Sequence, residues 1–155
     1  MEIEITKIVA QHQNVDLRST IDFGLLLNNV LKNLRMSHWY SNDYNIHQII
    51  GNLYDSLEDL FDKLQEEIIG TVKLQKNNVS FPIFNVSQGV ENLAEDYEHI
   101  ERFFFYTELI SSVLSSLAMK HYIEDTKPNG LNNTIEEILS SINKSHYLIN
   151  MINLD

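Results

Sequence analysis

The chain reads as an all-α protein, a four-helix bundle in which the connection between the second and third helices is long. Apolar residues recur at helical spacing in four extended stretches. Pro82 and the Pro128-Asn129-Gly130 turn interrupt that rhythm where connections are needed. Only a few polar residues separate the first two stretches, which favours antiparallel neighbours. No strand, internal repeat or domain boundary is expected.

Residues 1–18 are expected to be a mixed leader that could carry a short helix. The first helix is expected over roughly 20–40, with Ser19 or Thr20 able to cap it and Leu27, Leu31, Leu34 and His38 repeating at 4-3-4 spacing. The second spans roughly 43–74. Ile46, Ile50, Leu53, Leu57, Leu60 and Leu64 form a heptad stripe, and Asp55, Asp59, Asp62 and Glu66 form an acidic one. The segment KNNVSFPIFNVSQG then breaks the pattern, and its Val79, Phe81, Ile83, Phe84 and Val86 suit a connection that packs along the bundle. A third helix is expected over roughly 88–124, with Val90, Leu93, Tyr97, Ile100, Phe104, Leu114 and Ala118 on one face. The turn DTKPNG ends it. The fourth spans roughly 133–153, with Thr134 and Glu137 as a capping box or Asn133 as the cap, and with Ile135, Ile138, Ile142, His146 and Ile149 facing the core.

At 155 residues, 1–155 is expected to form a single domain with a substantial core. The net charge of −11, from 22 acids against 11 bases, repels phosphate backbones and attracts cations. DNA binding is therefore not expected, and the leader MEIEITKIVAQHQ carries no basic cluster. With no cysteine, disulfides and thiolate metal sites are excluded, which fits a cytoplasmic location. The leader lacks the pattern of a signal peptide, and the apolar runs near residues 25 and 105 are too short to span a bilayer.

The segment from His38 to Glu66 carries the chemistry. His38 and His47 flank a short polar turn, and Asp62 and Glu66 follow at i,i+4 spacing. Imidazoles and carboxylates suit a hard or borderline divalent metal such as iron. Along one helix, fifteen residues between His47 and Asp62 span about 22 Å, so no single ion touches both. If all four are ligands, the acids come from a second, antiparallel copy of the chain. The motif proposes a metal and a symmetric dimer together.

His38-Trp39 near the end of a first helix, then a turn, then His47, then Asp62-x-x-x-Glu66, with Tyr54 seven residues after His47, resembles the Dps-type miniferritins, within the ferritin-like four-helix bundles. The motif covers about 30 residues, and the helix layout extends the likeness along most of the chain. The resemblance implies a ferritin-like fold with a long crossover and a homo-oligomer, a dodecameric shell built from two-fold dimers. It implies a ferroxidase site between subunits, with His38 and His47 from one chain and Asp62 and Glu66 from its partner. The chemistry implied is oxidation of Fe(II) by peroxide or oxygen and storage of Fe(III) inside the shell, protecting against peroxide, with other divalent cations as alternative occupants.

Two features depart from the family pattern. Where the family often has a carboxylate one turn after the second histidine, this chain has Gly51. Asp55, one turn further on, lies about 6 Å away along the axis and is a poor substitute. The turn between His38 and His47 is also short. These departures imply a weaker or single-metal site, or a shell kept without efficient oxidation. The alternative is a non-redox, ferritin-like structural or interaction protein, and a third option is an isolated helical adaptor.

Other candidates weigh less. Glu95, Asp96, Glu98, His99 and Glu101 cluster on the third helix, and Asp96-x-x-His99 looks like half of a di-iron signature. Its counterparts are missing: the first helix offers only Asp22, and Asn143 stands three residues before His146. His121 and His146 lie on apolar faces and read as core residues. Glu124 and Asp125 could line an ion-entry pore by analogy with shells.

Overall fold

The computed structural model describes residues 12–15, 20–74, 81–84, 98–118 and 130–152. Four helices make its body: α1 (Thr20–Tyr40), α2 (Tyr44–Leu74), α3 (His99–Ala118) and α4 (Gly130–Asn150). Two four-residue strands, β1 (His12–Val15) and β2 (Phe81–Phe84), pair antiparallel with His12 opposite Phe84 and Val15 opposite Phe81. This ribbon is not expected from the sequence, because four residues are too few to display a period of two. Pro82 is tolerated in it because both members of a two-stranded ribbon are edge strands.

Asp43 starts α2. Its side-chain Oδ1 accepts the N–H of Ile46 at 3.0 Å, and its carbonyl accepts the N–H of His47 at 2.9 Å, which is the geometry of a helix N-cap. Only Ser41, Asn42 and Asp43 separate α1 from α2.

At α4 the expected local cap is replaced by a long-range one. The helix already begins at Gly130, so Thr134 lies inside it, fully buried. Its hydroxyl faces the carboxylate oxygens of Glu67 on α2 at 3.0 and 3.1 Å and the Gly130 carbonyl at 3.1 Å. The Glu67 carboxylate lies 3.6–3.8 Å from where a Cβ on Gly130 would stand. A negative charge from α2 thus sits at the positive pole of α4. Thr134 bonds Glu67 rather than forming a capping box with Glu137.

The buried face of α2 is the expected heptad stripe: Ile46, Ile50, Leu53, Leu57 and Leu64, extended by Phe61 and Ile68, with Leu60 at its margin. On α4, Leu131, Ile135, Ile138, Ile142 and Ile149 are buried. The phases of α1 and α3 differ from the expectation. On α1 the core positions are Phe23, Leu26, Leu27, Val30 and Leu34, and Leu31 and His38 sit on the shoulder beside them. On α3 they are Phe103, Phe105, Tyr106, Leu109, Ile110, Val113 and Leu114, while Ile100 and Phe104 are partly buried. In both helices apolar residues cover more than one face, so several stripes can be drawn and only packing selects among them. Val90, Leu93 and Tyr97 lie outside the described residues, as do the turn over 125–129 and most of the 75–98 connection.

The helices pack in the ring order α1–α2–α4–α3. Each neighbouring pair is antiparallel. Gly24 of α1 meets Gln65 late in α2, and Arg102 early in α3 donates to Asn33 late in α1 at 2.8 Å. Thr107 in the first half of α3 meets His146 near the end of α4. His99 at the start of α3 stacks on Tyr40 at the end of α1, with centroids 5.3 Å apart. So α3 begins at the end of the bundle where α2 begins, and α2 is about 46 Å long. Among the described residues, no helix is long and apolar enough to cross a membrane.

Candidate metal centre

The last turn of α1 carries His38 and the first turn of α2 carries His47, and the capped three-residue link turns them toward each other. Their contacts are reciprocal. Nδ1 of His38 bonds the His47 carbonyl at 2.9 Å, and Nδ1 of His47 bonds the His38 carbonyl at 2.7 Å. A carbonyl oxygen only accepts, so each Nδ1 carries a proton, and in the neutral ring Nε2 is then the nitrogen that keeps its lone pair. The His38 carbonyl belongs to the last turn of α1, which lacks helical partners, so the ring Nδ1–H of His47 also closes that end. A ring N–H on a backbone carbonyl is the usual support that orients a metal-binding imidazole.

The two rings are stacked, 3.9 Å between centroids and 20° between planes. Lone pairs lie in the ring planes. Two planes this close to parallel do not meet at a common ion at a metal–nitrogen distance of about 2.1 Å. As they stand, the rings suit one ion each rather than one ion together.

Gly51, one turn after His47, explains how His38 fits. A Cβ built on Gly51 would stand 2.6 Å from Cε1 and 2.8 Å from Nδ1 of His38. The place where a side chain would stand is filled by the His38 ring.

Asp62 and Glu66 are exposed on α2, well removed from the histidines along a single unbroken helix. Among the described residues no three His, Asp or Glu side chains gather around one point. Asp62 lines the open groove between α1 and α2 with Arg35, Trp39, Tyr54 and Glu58. Glu66 lies one turn beyond it, and Asp55 and Asp59 are exposed. The donor types suit iron, but among the described residues only the two imidazoles come together, and Asp62 and Glu66 of the same chain do not reach them.

The Arg35 guanidinium sits 4.9 Å from the ring centre of Tyr54 and 5.7 Å from that of Trp39, within cation–π range of both. Neither this triad nor the contact of His38 with Gly51 is expected from the sequence. The available signals were the i,i+4 spacing of Arg35 and Trp39 and a glycine in mid-helix, which costs about 1 kcal/mol against alanine.

His99 stacks on Tyr40, and its Nδ1 is buried without a hydrogen bond. Glu95, Asp96, His121, Glu124 and Asp125 lie outside the described residues. His146 packs against the rings of Phe103 and Phe104, and its Nε2 is 2.6 Å from the Thr107 hydroxyl. That hydroxyl donates to the Phe103 carbonyl at 2.8 Å, so Nε2 of His146 is the donor to it. Burial holds the His146 pKa below its ordinary 6.5. As pH falls through 6.5 the unfolded chain takes up a proton that the folded one does not, so folding loses stability from there down to the lowered folded pKa. His146→Gln keeps the donor and removes the titration. Its melting temperature is expected to fall less than the wild type's between about pH 8 and about pH 5.5. An equal fall would remove His146 from the acid response.

No family model, no curated protein and no solved structure matches this chain.

Proposed function

We propose that the protein is a Dps-like miniferritin that oxidises Fe(II) at a site shared by two chains and stores Fe(III) in a shell. The observation that carries this reading is the reciprocal pair of His38 and His47, whose two Nε2 lone pairs are set for metal by bonds on Nδ1. The ring order α1–α2–α4–α3, with α3 starting where α2 starts, supports a ferritin-like bundle with a long crossover after α2. Trp39, Tyr40 and Tyr44 are exposed around the histidine corner, aromatic surface of the kind found at interfaces.

In the proposed dimer, a two-fold axis runs midway between His47 and Asp62, beside Tyr54 and Asp55. It carries Asp62 and Glu66 of each chain to the histidine corner of the other. One ion per imidazole gives two Fe(II) per site. Each gives up one electron, and together they supply the two electrons that reduce peroxide to water. The carboxylates supply negative charge that favours the ferric product. The assembly is a dodecameric shell in the cytoplasm, with no affinity for DNA.

Anaerobic Fe(II) titration followed by peroxide tests this. About two Fe(II) per chain are expected, one for each imidazole, and then fast oxidation with iron retained in the assembly. No binding and no acceleration over buffer would overturn the reading.

The same clasp favours a second reading. The two Nδ1 bonds tie α1 to α2 without any metal, so a ferritin-like bundle could keep the histidines as a fastening and serve as a structural or interaction protein. Stoichiometric iron at a two-fold interface would count against it.

A further inference from the structure

We propose that Gly51 is a positioning residue for His38, and that in this chain the His38 imidazole takes the space a side chain at 51 would occupy. The two exclude each other. A Cβ at 51 would lie 2.6 and 2.8 Å from His38 ring atoms, inside any contact that real Cβ atoms keep. The backbone of α2 is fixed there by a helix whose neighbours Ile50 and Leu53 are buried in the core. The part that must give is the His38 ring. Its displacement breaks the Nδ1 bond to the His47 carbonyl and the 3.9 Å stack. His47 keeps its own bond, because that bond runs to the His38 backbone rather than to the ring.

The consequence concerns which ions the site takes. Without a side-chain carboxylate at 51, the chain contributes two neutral nitrogen donors at this corner and no acid one turn after His47. Nitrogen-rich donation suits borderline divalent ions, Fe(II), Co(II) and Zn(II), better than hard trivalent ones. This part rests on the metal-binding reading above. The placement of His38 does not.

The test uses the full chain with the variants Gly51→Ala, His38→Ala and the double replacement, and two readouts. The first is the histidine tautomer, from two-bond proton–nitrogen correlation on metal-free protein. In the wild type both rings are expected as Nδ1–H. In Gly51→Ala, His38 is expected to lose that form and His47 to keep it. The second is Co(II) titration. Gly51→Ala is expected to weaken Co(II) binding by about 10–100-fold, the usual loss when the support of a metal-binding imidazole is removed. Because alanine favours the helix, loss of fold is not expected, and circular dichroism checks it. In the His38→Ala background, adding Gly51→Ala is expected to change affinity by less than about threefold. Retention of the Nδ1–H form at His38 in Gly51→Ala would overturn the proposal, as would a further loss of affinity in the double variant. If the wild type binds no Co(II), the metal reading fails while the tautomers still decide the role of Gly51.

Discussion

Replacing Asp62 and Glu66 together by alanine is expected to abolish rapid Fe(II) oxidation while leaving fold and dimer intact. Both residues are exposed on α2. Substitutions at such positions change stability by about 0.5 kcal/mol or less each. Loss of oxidation would therefore report the site rather than the scaffold. A mixing experiment then locates the acids. In a two-fold dimer of His38→Ala/His47→Ala with Asp62→Ala/Glu66→Ala, one site loses every ligand and the other keeps them all. Neither parent should oxidise iron, and an equal mixture refolded together should regain about a quarter of the wild-type rate, since half of random pairs are mixed and each has one intact site. A site built within one chain gives no recovery, because neither variant holds both halves. Unchanged oxidation in the acid variant would sink the assignment of Asp62 and Glu66.

Legibility in the sequence follows how local each cause is. The ends of α1 and α2 and the buried stripe of α2 are readable because one face of α2 is apolar and the other charged, so a single phase fits. The phase of α3 is not, because Phe103, Phe104, Phe105 and Tyr106 are consecutive and apolar on every side. Only the neighbours α1 and α4 decide that Phe104 is the half-buried one. The start of α4 is hidden for a related reason. Thr134 and Glu137 have the spacing of a capping box, but the charge at that end comes from Glu67, 67 residues away from Thr134 in the chain. Within the site, the donor types and the distance that keeps Asp62 and Glu66 from the histidines of their own chain are legible from spacing alone. The Nδ1 bonds and the meaning of Gly51 are not, since a glycine one turn after a histidine reads as a missing ligand until the ring that fills its place is seen.

Leu57→Ala is expected to be among the most damaging single changes in α2. Leu57 is completely buried, near the middle of the helix that packs on both α1 and α4. Truncation there removes transfer energy and leaves a cavity that rigid neighbours cannot fill, at a cost of about 2–5 kcal/mol. Against a total of about 5–15 kcal/mol for a domain, that is a large share. Asp59, two residues on, points to solvent, and Asp59→Ala should stay within about 0.5 kcal/mol of wild type. Urea unfolding measures both, and an unchanged slope with a lower midpoint marks a true loss of stability. The effect on the site follows from the helix. His47, Asp62 and Glu66 all ride on α2, and the proposed pairing with a second chain requires their spacing to be held by one rigid rod. Leu57→Ala should therefore weaken iron oxidation at temperatures where Asp59→Ala does not, although neither residue touches metal. Equal stability in the two variants would mean that the heptad stripe is not the face that holds the bundle.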